Sequence, residues 1–509
     1  MKSYCTKDNI LVTAKTLEYF KRTVFSIPFD KAANGYHKQR YYLSIALFIQ
    51  HLICSATVSR NSKKKARFKG SKKWTYSVPF PYQLGEKICP EVFKASKDLG
   101  FKRALEKLVE AKLIKIVPYN RYQHRCREYA LSKAFLTQLF PKDRVGYLKR
   151  DDRYTYLTNL YGKRKTEGTL EQLLSQQVKG AVSPKHAISR RNIPSEGLRN
   201  AVQAVYRQLE PLHINIDNLV AYCQQYPTIK NMGYYTRFIS HLCEVGVEVK
   251  STTPLVVTYR QAYKVANIGS RSFEIGTGFQ YLPSKMKWAC LERGFNYDIK
   301  GCQLEILRQE FIRNKISTKA LSVLDTGFIK KKLNIDDELV KTVRFSTIFN
   351  AGAVSCSPRS SLYKKLTKFY QDKQVKFLLK RWKKATRTLK KSLEKLVKCY
   401  LNSGTINRHG LCVRNGVGQP FNCTYKKHSN GGRKKWRKDS MQRKLLAHMI
   451  QGLESRAVYD YVSSHSGVCA LEHDGFVSLH ELSDGDWQHP YLEIVLKHSS
   501  ESKLKLGLS

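Results

Sequence analysis

The chain has 509 residues, enough for two to four domains, and 42% of them are hydrophobic, which excludes wholesale disorder. Lys and Arg number 91 against 40 Asp and Glu, a formal net charge of +51 that attracts polyanions, nucleic acid foremost, and repels cationic partners; a ribosomal-type RNA binder and a membrane-surface protein are the simpler alternatives. No apolar run is long enough to span a bilayer and the 13 cysteines include no CxxC pair, so neither an integral membrane protein nor a zinc finger or ribbon is expected.

In chain order, the N-terminus shows no signal peptide, and its scattered thiols fit a reducing cytoplasm. Asp8, Glu18 and Asp30 make it too acidic for a typical transit peptide, although an organelle stays open. Residues 41–56 read as a buried helix, followed by a basic loop from Lys63 to Lys73. Pro90 opens a short helix. Beyond Gly100 a second helix places Phe101, Leu105, Leu108 and Val109 on one face. Ile114, Ile116 and Pro118 alternate as a strand, residues 119–125 form a basic aromatic tip, and Glu128–Leu131 returns. Helix, turn, helix and two-stranded wing is the pattern of a winged-helix DNA-binding module. Lys102, Arg103 and Lys107 are then expected on the exposed face of its second helix, with Arg121 at the wing tip. Residues 141–250 read as a helical region broken by a polar linker at Ser183–Ser195.

Three later segments carry the chemistry. In the first, 295–308, an aromatic strand delivers Asp298, and a helix with Gln303 and Glu305 follows a turn. In the second, 337–352, Lys341, Phe345 and Phe349 recur every four residues and share one helix face, a cation for phosphates beside rings for a base. In the third, 468–478, apolar residues flank His473-Asp474-Gly475 as in a hairpin with an aspartate at its tip. Two strand-borne carboxylates suit a pair of divalent ions roughly 3.5–4 Å apart, which neutralise a triphosphate and activate an attacking oxygen. Mg²⁺ favours such oxygen ligands, with Mn²⁺ as a substitute.

These segments resemble motifs A, B and C of family A DNA polymerases and the related phage-type single-subunit RNA polymerases, in the same order. Two further stretches add to the resemblance. His448-Met-Ile-Gln451-Gly is similar to a motif at the start of the helix before motif C, and Arg271 with Gln280 to Lys287 is similar to the arginine-led segment before motif A. The resemblance implies an α+β right-hand polymerase with an antiparallel palm sheet and helical fingers and thumb. Its regions would be a winged-helix-like module at 1–140, a helical linker or thumb-like region at 141–250, and palm and fingers at 251–509. It implies that Asp298, Asp474 and the carbonyl of Ile299 bind two Mg²⁺ ions and that Lys341 holds the incoming triphosphate. Phe345 and Phe349 would contact base and sugar, and Glu305 would exclude a 2′-hydroxyl, with Gln303 also at the substrate. Arg271, Gln280, Lys287, Gln451 and His473 would contact template and primer. The chain departs from the pattern in the spacing of motif A, at Phe349, at Asn350 and at Asp337, which stands where a second triphosphate-binding arginine is usual. Arg344, three residues beyond Lys341, is the substitute.

The segment 359–444 holds 26 Lys and Arg against three acids, with aromatics interleaved, the composition of a channel that tracks phosphates and stacks bases. Within it, 428–438 reads as a flexible loop. Residues 1–250 contain no D-x-E pair for an exonuclease. The expectation is a DNA polymerase without proofreading, working with Mg²⁺, nucleoside triphosphates and a DNA template-primer in a bacterial nucleoid, plasmid or phage setting. An RNA polymerase or primase on the same scaffold and a non-catalytic DNA-binding initiator stay open beside it.

Overall fold

The computed structural model describes residues 9–29, 35–58, 66–68, 70–93, 104–118, 126–140, 151–162, 167–176, 196–358, 360–408, 410–427 and 433–499. The class is α+β: helices outweigh strands, and the strands form small antiparallel sheets. No helix among the described residues is long and apolar enough to cross a membrane.

The first apolar run forms α1 (Gly35–Val58), on which Tyr41, Ile45, Phe48, Ile49 and Leu52 are buried at helical spacing. After it come β1 (Val78–Pro79), α2 (Tyr82–Ile88), α3 (Pro90–Phe93), α4 (Ala104–Glu110), β2 (Ile114–Val117) and β3 (Glu128–Leu131). The strands pair in the order β1-β3-β2. Phe48 of α1 packs edge-on to Phe93 of α3 and Tyr129 of β3 at 5.1 and 5.2 Å, which joins these three elements in one core. Helices α3 and α4 and the paired strands β2 and β3 follow in the expected order, with a third strand that the pattern did not reveal, while residues 94–103 and the expected wing tip at 119–125 lie outside the described residues. Val109, expected on the apolar face, is 37% exposed. Lys102, Arg103, Arg121, the linker 183–195 and most of the 63–73 loop lie outside the described residues.

The expected helical region beyond residue 141 also carries strands. β4 (Leu212–Asn215), α5 (Ile216–Gln225), α6 (Ile229–Val245), β5 (Glu248–Thr252) and β6 (Leu255–Tyr259) build a sheet of order β4-β6-β5. The expected boundary at 250/251 therefore falls inside β5. The same core joins residues 10–174 to 212–291, so the chain does not divide there.

The sheet that matters for chemistry is built from β7 (Phe295–Ile299) and, after the helices α7 (Cys302–Arg313), α8 (Thr326–Leu333), α9 (Asp337–Phe349), α10 (Asp372–Ala385), α11 (Arg387–Asn402) and α12 (Lys438–Ser464), from β8 (Val468–Leu471), β9 (Gly475–Ser478) and β10 (Ile494–Ser499). Its order is β8-β9-β7-β10. Strand alternation splits its side chains between two cores. Phe476 and Leu471 face the C-terminal core with Tyr297, while Val477 and Ala470 face the N-terminal one. Both faces of β8 and β9 are thus covered, which explains their continuous apolar character. A third, smaller core holds α8, α9 and α10 together around Trp382. Of the expected loop 428–438, residues 428–432 lie outside the described residues, and Arg433–Lys435 pairs antiparallel with Tyr425–Lys427.

Candidate active site: an aspartate pair at the strand ends

Asp298 and Asp474, 176 positions apart in sequence, meet because β7 and β9 run antiparallel in a register that sets Asp298 opposite Gly475. The Ile299 amide donates to the Asp474 carbonyl at 2.8 Å, and the Glu472 amide donates to the Gly475 carbonyl at 3.0 Å, closing the turn between β8 and β9. Gly475 is required there for space: a Cβ would stand 1.9 Å from the Tyr297 carbonyl oxygen. Burial together with the charge of nearby Asp474 pushes the Asp298 carboxyl up to about 6, against the pull of Lys497.

Lys497 was not foreseen. It lies on β10, the edge strand beyond Asp298, and its ammonium ion-pairs with Asp298 Oδ2. The register of β10 on β7 shifts between Asn296 and Tyr297, so Lys497 falls in a bulge that swings its side chain onto the aspartate.

Several expected nucleic-acid or substrate contacts are committed within the protein. The Arg271 guanidinium forms a bidentate pair with Glu454 of α12, at 2.5 and 2.7 Å. Burial works against the Arg271 charge, but Glu454 outweighs it and holds the guanidinium above its ordinary value. Gln303, expected at the substrate, is buried and donates to the same Glu454 at 2.6 Å. Gln280 accepts from the Glu274 amide and donates to the Ser272 and Leu471 carbonyls, so it staples its loop to β8. Lys287 is buried against Glu472, with Nζ 2.5 Å from Oε1. Gln303, Gln280 and Lys287 are thus positioning groups beneath the dyad. Each has a partner far off in sequence, Glu454 for Gln303, Leu471 for Gln280 and Glu472 for Lys287, which cannot be seen from its own segment.

His473 lies beside the dyad with its ring 4.6 Å from that of Phe273 and its Nδ1 buried without a partner. Burial, reinforced by Arg271, pushes it down to about 4, so it is neutral near pH 7. Gln451 packs against Gly269, and His448 nearby is fully buried, accepting from the Gly269 amide and donating to the Gln419 carbonyl. Both sit in the middle of α12 rather than at the helix start expected for that motif.

On α9, Lys341, Phe345 and Phe349 do share one face. The Lys341 ammonium lies over the Phe345 ring at 5.6 Å, and the two rings are 6.4 Å apart. Opposite residues of α9 anchor it at both ends: Val340 and Val343 in the small core, Ile348 in the core beneath the dyad. Arg344, the expected second phosphate ligand, is instead tied to the Leu324 carbonyl and Thr326 hydroxyl, both at 2.7 Å. Glu305 is part-exposed and held by Gln309 at 2.9 Å and Arg308 at 3.3 Å. In the N-terminal unit, Lys107 is not on an exposed face: it is 6% exposed and donates to the Pro28 carbonyl at 3.0 Å.

Among the described residues no cluster of three or more Asp, Glu, His or Cys side chains forms a metal cage. The dyad is a different kind of site: two mutually repelling carboxylates, already drawing in one ammonium, beside the main chain of Ile299 at a strand end. That all-oxygen donor set fits Mg²⁺ or Mn²⁺, ions that keep water and substrate oxygens in their remaining positions. No protein-family model matches the chain, and no curated protein matches it.

Proposed function

We propose that the chain is a template-directed nucleotidyltransferase, a DNA polymerase of right-hand architecture that extends a primer with nucleoside triphosphates. One observation carries the reading: Asp298 and Asp474, singled out by sequence pattern, come together where β7 pairs with β9, Asp298 opposite Gly475, closely enough for the Asp474 charge to raise the pKa of Asp298. When bound, two Mg²⁺ ions held by these carboxylates and the Ile299 carbonyl would neutralise the triphosphate and make the primer 3′-hydroxyl a better nucleophile.

The remaining work falls to the protein. Lys341 contributes a point charge for the triphosphate, and Phe345 and Phe349 a flat apolar surface for base and sugar. Neutral His473 and the Arg271–Glu454 pair keep the floor of the site in place beneath the primer end. The α1–β3 unit, read as a winged helix, would supply DNA recognition. Asp298→Ala and Asp474→Ala should each abolish Mg²⁺-dependent extension of a labelled primer while leaving DNA affinity within about twofold, since neither neutralises a phosphate. Extension at the normal rate by either variant overturns the assignment.

A second reading, a single-subunit RNA polymerase or primase, has its own support: the Glu305 carboxylate is engaged by Gln309 and Arg308, and Phe349 offers no hydroxyl to the sugar. Extension with separate deoxy- and ribonucleotide pools decides between them.

A further inference from the structure

We propose that Lys497 is an internal competitor for the cation site: its ammonium occupies an oxygen of Asp298 that a divalent ion needs, and so sets the cation concentration at which the dyad loads. The proposal rests on the reading of the dyad as a cation site, and the test below separates the two.

The geometry is local and built. β10 is the edge strand, and Asp298 lies opposite Val495, so Lys497 sits one diagonal position further along, at the bulge. Its ion pair is with Oδ2 of Asp298, whose side chain is only 17% exposed, while the lysine is 43% exposed. The acceptor is fixed in the sheet, whereas the lysine reaches it on a flexible four-carbon stem from an open edge. A dication on that carboxylate oxygen repels an ammonium held at the same atom more strongly than the single carboxylate charge attracts it, so the ammonium is the one displaced. Loading therefore turns the lysine out, toward the solvent that its side chain already meets. Lys300 is a contrast within the same sheet region: it pairs with Glu493 at 3.0 Å, both side chains largely in solvent, and touches neither aspartate.

Mn²⁺ titration of the full chain, followed by electron paramagnetic resonance without nucleotide or DNA, tests this. Lys497→Met should tighten Mn²⁺ binding by about three- to tenfold at unchanged stoichiometry. Lys497→Arg should not tighten it, and Lys300→Met, which removes the same charge elsewhere, should change it less than twofold. Asp298→Asn should abolish the site. If Lys497→Met matches Lys300→Met while Asp298→Asn still weakens binding, the lysine is not a competitor and the dyad stands. If wild type and Asp298→Asn bind Mn²⁺ equally, or neither binds, the dyad reading itself falls. A measurement on the unmutated protein guards against misfolding of a variant: acylation of Lys497 by an amine-reactive ester, read by peptide mass spectrometry, should rise with Mg²⁺ relative to Lys300, and an unchanged ratio overturns the proposal.

Discussion

The most heavily buried charge beside the dyad is Glu454, 0% exposed and paired to Arg271 through two hydrogen bonds. Burial raises its carboxyl group above the ordinary carboxylate range, opposed by Arg271. Removing one member of such a pair strands the other in a dry site, which costs more than the pair contributes. Glu454→Ala should therefore lower unfolding free energy by about 3–5 kcal/mol in denaturant titrations, and Glu454→Gln by less, since its amide oxygen still accepts from Arg271. Glu274 offers a pH test. Burial pushes it up to about 7 from 4.5, against hydrogen bonds from the Gln280 amide and the Tyr259 hydroxyl. Between those values the folded chain holds a proton that the unfolded chain has released, so the contribution of Glu274 to stability falls as pH rises from about 4.5 to about 7. His241, 3.9 Å away and pushed down to about 4 by burial, acts in the opposite direction as pH rises, so the raw profile masks the effect. The difference in stability between wild type and Glu274→Gln should isolate it, declining across that window and levelling above it. A flat difference curve sinks the assignment.

At the scale of elements, the proposed chemistry depends on one strand pairing. Gly475→Ala places a methyl group where the Tyr297 carbonyl stands, and backbone cannot readily retreat where β9 is covered on both faces. It should lower stability by more than about 3 kcal/mol, measured by thermal melting, and abolish Mn²⁺ binding; a variant that melts like wild type means the hairpin sits differently on β7. The strands and helices that make this site were legible in sequence because their signals are local. Phe295 to Ile299 alternates before a turn, apolar residues bracket His473-Asp474-Gly475, and Lys341, Phe345 and Phe349 repeat at helical spacing. What was not legible is pairing at a distance. Gln303 and Glu454 are 151 positions apart, and Lys497 and Asp298 are joined only by a bulge in an edge strand. Nothing in Ile494–Ser499 marks its lysine as different from the many that face solvent. Lys107 was misplaced for the same reason, because its acceptor at Pro28 lies on a distant segment.

At the scale of the molecule, the dyad sits on a sheet between two cores, while much of the positive charge is carried by elements beyond it. α10 and α11 show the division most clearly. Val375, Leu378, Leu379 and Trp382 of α10 are buried in the small core, and Leu389, Leu393, Leu396 and Val397 of α11 in the larger one. The opposite face of α10 presents Lys373, Lys380 and Lys384 to solvent, together with Phe377 at 62% exposure. Charge and stacking make separable contributions to single-stranded nucleic acid binding. Each lysine that neutralises a phosphate steepens the dependence of affinity on salt, by about 0.7 per contact for a single strand. A stacked ring contributes affinity without changing that slope, roughly 1–3 kcal/mol per base. The double change Lys380→Ala with Lys384→Ala should therefore flatten the logarithmic salt dependence of single-strand binding by about 1.4, seen by fluorescence anisotropy across a salt series. Phe377→Ala should weaken binding by about tenfold or more at every salt concentration and leave the slope unchanged. If the lysine pair leaves the slope intact, the strand runs elsewhere on the molecule, and if Phe377→Ala is silent, its ring is a surface accident on a helix that binds phosphates alone.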